Sequence, residues 1–164
     1  MDERLERYVT ELFAAEDSIL QQIRSRHGEK KLPPINVSAE EGKLLQVLLR
    51  SIQAERVLEI GTLGGYSGVW LARALPPSGK LITIEAEPRH ARIAREGFHA
   101  AGLDDRVQLI EGRALDVLPT LRPGFDAVFI DADKENYDHY GRWAARHLRK
   151  GGLLLGDNAF LFGN

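Results

Sequence analysis

From Val57 onward the sequence alternates short apolar runs with segments of helical periodicity, and few folds accept that pattern. Residues 57–60, 81–85, 107–110, 125–130 and 152–155 read as buried strands. Helices are expected over 66–75, 88–101, 114–121 and about 136–149. Pro88 suits the first turn of its helix and Gly102 its end. Short apolar strands that alternate with helices form a parallel sheet covered on both faces. The expected fold is therefore α/β: a Rossmann-like, doubly wound, mostly parallel sheet with right-handed crossovers.

The segment ahead of this alternation reads differently. Leu5, Val9, Leu12, Phe13, Ile19, Leu20 and Ile23 recur at helical spacing and predict one amphipathic helix. The stretch from His27 to Pro34 breaks it, with Gly28, Lys30, Lys31, Pro33 and Pro34. Ser38-Ala39-Glu40-Glu41 then forms a capping box before Leu44, Leu45, Val47, Leu48 and Leu49. The 164 residues are read as a single domain, with an N-terminal helical segment over 1–35 and a core over 36–164. A 43% hydrophobic content supplies that core. The sequence stops at Asn164, soon after the fifth strand, so the sheet is expected to lack its C-terminal strands. One more helix and two strands would need roughly 30–50 residues.

Charge narrows the function. Lys plus Arg is 22 and Asp plus Glu is 24, a net charge of −2, which weighs against a dedicated nucleic-acid binder. The mixed-charge start, Met1-Asp2-Glu3-Arg4, lacks the features of a signal peptide. No run approaches the ~20 apolar residues that span a bilayer. A cytoplasmic location without membrane attachment is expected. With no Cys, disulfides, thiolate metal sites and thiol nucleophiles are excluded.

Glu59-Ile60-Gly61-Thr62-Leu63-Gly64-Gly65-Tyr66-Ser67 joins the first strand of the alternation to a helix. Ligands of this fold bind beyond the carboxyl ends of the strands, where glycines let them approach the backbone. A tight turn without a ligand could use the same glycines, but their clustering at the expected site weighs against it. A dinucleotide fingerprint fails at Leu63 and Tyr66, where glycine is required. Glu85 ends the second strand and can accept from a ribose diol. These features favour S-adenosylmethionine. Glu59 would face its ammonium group and Ser67 its carboxylate.

Asp131-Ala132-Asp133-Lys134 follows the fourth strand, and Asp157-Asn158 follows the fifth. If those strands are neighbours, Asp131, Asp157 and Asn158 meet at one sheet edge. Two carboxylates and an amide oxygen are hard ligands for Mg²⁺, with Mn²⁺ or Ca²⁺ also suited. Helix caps and strand-end turns use the same residues. Their pairing on neighbouring strands points instead to a metal. Beside a divalent cation the Lys134 ammonium is disfavoured, which suits a general base. Of the five histidines, His90, His99 and His147 read as helix-surface residues, and His139 is the one near the site.

Five segments taken together resemble the metal-dependent class I O-methyltransferases, which include caffeoyl-CoA and catechol O-methyltransferases. They are Asn36-Val37-Ser38-Ala39-Glu40-Glu41-Gly42, Val57-Leu58-Glu59-Ile60-Gly61-Thr62, Gly65-Tyr66-Ser67, Phe129-Ile130-Asp131-Ala132-Asp133-Lys134-Glu135-Asn136-Tyr137 and Gly156-Asp157-Asn158. The resemblance implies the class I methyltransferase fold. It implies S-adenosylmethionine contacts at Val37, Glu59, Gly61, Thr62, Gly65, Ser67, Glu85, Ala114 and Asp133. Val37 and Ala114 rest on it alone. It further implies metal ligation by Asp131, Asp157 and Asn158, a catalytic Lys134 and a homodimer.

The expected reaction is methylation of a vicinal dihydroxy-phenolic small molecule. Other readings are methylation of a hydroxyuridine in tRNA, a cofactor-binding module without catalysis, and a nucleotide-dependent dehydrogenase. Lys30, Lys31, Arg142, Arg146, Arg149 and Lys150 would serve the tRNA reading.

Overall fold

The computed structural model describes residues 2–159; Met1 and residues 160–164 lie outside it. Two helices come first, α1 (Glu3–Phe13) and α2 (Ser18–Glu29), where the sequence predicts one. Asp17 separates them: its carboxylate accepts from the Leu20 amide at 3.0 Å and starts α2 afresh. The predicted apolar face also divides. Leu20 and Ile23 are buried, whereas Leu5, Leu12 and Phe13 are each at least half exposed. Helix α3 (Ala39–Ser51) starts at the predicted capping box, with Glu41 N donating to Ser38 Oγ and Ser38 N to Glu41 Oε2. It buries Leu45 and Leu49 and leaves Leu44 and Val47 exposed.

The alternation then follows as β1 (Arg56–Ile60), α4 (Tyr66–Ala74), β2 (Lys80–Glu85), α5 (Pro88–Ala100), β3 (Val107–Glu111), α6 (Ala114–Val117), β4 (Phe125–Ile130), α7 (Tyr137–His147) and β5 (Leu148–Gly156). All strand pairs are parallel, in the order β3-β2-β1-β4-β5. The predicted helix over 114–121 is a single α turn followed by a 3-10 turn at Leu118–Thr120, where Pro119 cannot continue the ladder. The last helix is likewise preceded by a 3-10 turn, Lys134–Asn136. Strand β5 begins earlier than predicted but carries a bulge: Phe125 pairs with Leu148 and Ala127 with Leu153.

Side-chain alternation along β1 and β4 divides the core between the two sheet faces. Val57, Ala127 and Phe129 pack with Val69, Trp70 and Leu71 of α4 on one face. Leu58, Ile60, Val128 and Ile130 pack with Tyr140, Trp143 and Ala144 of α7 on the other. The chain reverses its winding direction between β1 and β4. At that point the carboxyl ends of adjacent strands open a crevice.

Candidate functional site

A pocket of about 930 Å³ lies over the carboxyl ends of the strands, within the range usual for small-molecule sites. Its floor is set by backbone register. Gly61 N donates to Ile84 O at 3.0 Å and Asp131 N to Ile60 O at 2.9 Å. Gly61 has φ +95°, and a Cβ there would stand 2.0 Å from the Asp131 carbonyl oxygen. The β1 turn and the end of β4 approach this closely only because that residue is glycine.

Glu85 organises one end of the pocket. Its Oε2 accepts from the amides of Thr62 (3.2 Å) and Leu63 (2.7 Å), and its Oε1 from the Glu87 amide at 2.9 Å. A carboxylate has about four acceptor positions, so these bonds leave room for a ribose hydroxyl. Val37, Gly61, Thr62, Ser67, Ala114 and Asp133 also line the pocket. The site thus fits the ribose and amino-acid portions of an adenosyl cofactor: a buried acid faces the cavity beside a glycine turn at a helix start.

Glu59 and Gly65 do not line the pocket. Glu59 is fully buried and accepts from Ser67 Oγ and Thr83 Oγ1, each at 2.6 Å. Thr83 Oγ1 in turn lies 2.5 Å from Thr62 Oγ1. Burial, only partly offset by these hydroxyls, pushes the Glu59 carboxyl up to about 8. In this structure the Glu59 carboxylate belongs to a hydroxyl chain that supports the turn from behind. Gly65 has φ +87° and is the N-cap of α4, where it shapes the turn rather than facing the cavity.

The acids occupy the other end. Ile130 pairs with Gly156 in the β4–β5 register, so Asp131 and Asp157 leave the sheet side by side as predicted. Burial and the neighbouring Asp157 raise the Asp131 carboxyl above its usual range, although Lys134 opposes them. Lys134 Nζ lies 3.5 Å from Asp131 Oδ1 and donates to Tyr137 Oη (2.5 Å) and the Asp157 carbonyl (3.1 Å). Asn158, at φ +51°, donates through Nδ2 to Asp157 Oδ2 at 2.5 Å. Hard oxygen donors whose negative charge Lys134 only partly offsets suit a divalent cation. No group of three His, Cys, Asp or Glu with ligand geometry occurs among the described residues, so this set depends on its amide.

Lys134 stands among groups that favour its charged form. Burial would lower its pKa, but its bonds to Tyr137 and the charges of Asp131 and Asp157 raise it on balance. Among the protein's own groups it is held as an ammonium. Tyr137, which the sequence reading passed over, donates to the Ile130 carbonyl (3.0 Å) or the Asp157 carbonyl (2.6 Å) and so ties the two strand ends together. Tyr140 Oη donates to Asp133 Oδ1 at 2.7 Å. Their spacing one helical turn apart, directly after the acids, is the signal that could have found both.

The histidines also sort differently. His139 is exposed and does not line the pocket. His90, read as a surface residue, lines it, with Nδ1 3.7 Å from Glu85 Oε1. No helix among the described residues is long and apolar enough to cross a membrane.

Comparison with known proteins places these observations. The profile of an O-methyltransferase family matches residues 10–164. A catechol O-methyltransferase of Niastella koreensis is 44% identical over 160 residues, which cover 95% of this chain and 72% of that protein. One of Mycobacterium tuberculosis is 47% identical over 152 residues, 92% of this chain and 69% of its own length. The crystal structure of a Streptomyces achromogenes O-methyltransferase involved in tomaymycin synthesis, in complex with SAM, superposes with a TM-score of 0.93 at 44% identity. It covers 99% of this chain and 77% of that one.

Proposed function

The chain belongs to the O-methyltransferase family, and from that premise we propose that it methylates one hydroxyl of a vicinal dihydroxy-phenolic small molecule in a divalent-metal-dependent reaction. S-adenosylmethionine is the methyl donor. The observation that carries this reading is the union of two unlike ends in one cavity: Glu85 with the glycine turn, and Asp131 with Asp157, Asn158 and Lys134.

Each residue has a task in it. Glu85 accepts from the ribose, while Thr62 and Ser67 present polar groups at the turn. Val37 and Ala114 supply apolar wall. Asp131, Asp157 and Asn158 hold the cation, with Mg²⁺ preferred over Mn²⁺ and Ca²⁺. The cation supplies charge neutralisation and Lewis acidity to a substrate hydroxyl. Lys134, at the acidic end, is placed to take the hydroxyl proton through Nζ. Tyr137 keeps that amine at the mouth of the acidic end. The resulting arrangement works by positioning and by charge.

Labelled S-adenosylmethionine and a simple catechol, with Mg²⁺ or with EDTA, provide the test. Transfer with metal and none with chelator is expected. Cofactor binding without transfer overturns the phenolic-acceptor reading; a hydroxyuridine-containing tRNA is then the next acceptor to assay. The proposed assembly is a homodimer, supported by the large apolar side chains Tyr8, Leu12 and Phe13 that α1 leaves exposed. Sedimentation at monomer mass would overturn it.

A further inference from the structure

His27 is 4% exposed in α2, with its ring beside the Gly64 backbone and the Asn36 side chain. Its ring is lodged on the glycine turn: a Cβ built on Gly64 would stand 1.8 Å from His27 Nε2 and 2.4 Å from its Cδ2. Gly64 does not have the positive φ of Gly61 and Gly65, so the backbone does not demand glycine there. The histidine does. The residue on one side, Leu63, has φ +49° and gives its amide to Glu85; Gly65, on the other side, returns its amide to the Thr62 carbonyl at 2.9 Å.

Other contacts seat the helix that carries this ring. Arg24 Nη2 donates to Tyr66 Oη at 2.8 Å, and Tyr66 Oη donates to Glu16 Oε1 at 2.6 Å, so α2 is fastened to the first residue of α4. Arg89 at the start of α5 donates to the Lys30 carbonyl.

We infer that His27 is a positioning residue of the cofactor turn: its uncharged ring, wedged on Gly64, holds the Thr62 and Leu63 amides toward Glu85, so that α2 sets cofactor affinity. The inference rests on the cofactor reading of this pocket. Burial keeps the ring neutral, and His90 of α5 is the titratable group that faces it, with Asn36 as its polar neighbour. Protonation would place an unpaired charge in that space and press the ring outward.

The experiment is a calorimetric titration of S-adenosylhomocysteine into the unsubstituted chain, Gly64→Ala, His27→Ala and the double variant. Native near-ultraviolet circular dichroism is checked first for each. Gly64→Ala is expected to weaken binding about tenfold or more, and adding His27→Ala to restore it to within about threefold of His27→Ala alone. The unsubstituted chain should also lose affinity more steeply than His27→Ala as pH falls below about 6.5, since burial lowers the histidine from its ordinary value. A Gly64→Ala variant that binds normally, a double variant no better than Gly64→Ala, or equal pH profiles would overturn the inference. If Gly64→Ala fails to fold, restored folding in the double variant supports the contact, and its absence overturns it. No binding by the unsubstituted chain would overturn the cofactor reading and this inference with it.

Discussion

Asp131 and Asp157 each leave a strand by the same step: the Asp131 amide donates to the Ile60 carbonyl and the Asp157 amide to the Ile130 carbonyl, both at 2.9 Å. Each strand end is pinned to its neighbour, so the two carboxylates are fixed side by side by backbone rather than by side-chain choice. The cost is burial of a carboxylate beside a like charge, which raises the Asp131 carboxyl. Function and stability should therefore separate at this residue.

Asp131→Asn is expected to abolish metal-stimulated methyl transfer while leaving the metal-free protein as stable as before or more so at neutral pH. The sign follows from linkage. A carboxyl raised on folding makes the native state the stronger proton binder, so its ionisation erodes stability as pH rises past the ordinary carboxylate range. The advantage of Asp131→Asn should fade in acid. Assays with and without Mg²⁺, and thermal melts in EDTA across pH, check both halves. Near-normal activity in the variant would remove Asp131 from the site.

Glu59 extends the same logic to a fully buried group. Its carboxyl is raised from the ordinary 4.5 to about 8, so stability is expected to fall as pH climbs through that window. Glu59→Gln should flatten this fall and exceed the unsubstituted protein above pH 8, by on the order of a few kcal/mol. Ser67 and Thr83 can rotate their hydroxyls to suit an amide. Urea denaturation at several pH values measures the difference. Parallel pH profiles in the two proteins would mean that Glu59 stays ionised, with a counter-charge close by.

Ser38→Ala should cost about 1 kcal/mol, the usual worth of a helix cap. The Ser38 hydroxyl and the Glu41 carboxylate satisfy two otherwise unpaired amides at the start of α3. The adjacent Val37 lines the pocket, so weaker cofactor binding should accompany the loss. Denaturant midpoints together with S-adenosylhomocysteine affinity report the two effects separately.

The strands were legible because apolar runs such as Val57-Leu58 and Ala127-Val128 are buried on both faces and need no partner to be recognised. Residues at strand ends were legible for a related reason: parallel topology alone brings Glu85, Asp131 and Asp157 to one edge. What escaped depends on distant partners. His27 looks like part of a helix-breaking stretch until Gly64 is seen beneath it. The exposure of Leu5 and Leu12 could not be read from their spacing, because helical periodicity defines a stripe without saying what covers it. Glu59 was read only toward the cofactor, because the side chains that satisfy it, Ser67 and Thr83, lie on two other elements.

Lys134 provides the most demanding test, because its environment among the protein's own groups opposes the role proposed for it. It is an ammonium held by Tyr137, Asp131 and Asp157, and a base must be neutral. The proposal therefore requires Nζ to lose its proton before it serves as the base. Lys134→Ala should lower the rate by about 10²–10⁴, the usual range for a positioned acid–base group. Tyr137→Phe keeps the ring but removes the hydroxyl that accepts from Lys134 and ties the strand ends, so it should fall between that variant and the unsubstituted enzyme. The decisive comparison is pH dependence at saturating Mg²⁺. The unsubstituted enzyme should gain rate with pH until Lys134 is deprotonated, and Lys134→Ala should lose that inflection. A rate loss below about fivefold with the inflection retained would assign the proton to water and leave Lys134 as a fastener of the Asp157 carbonyl.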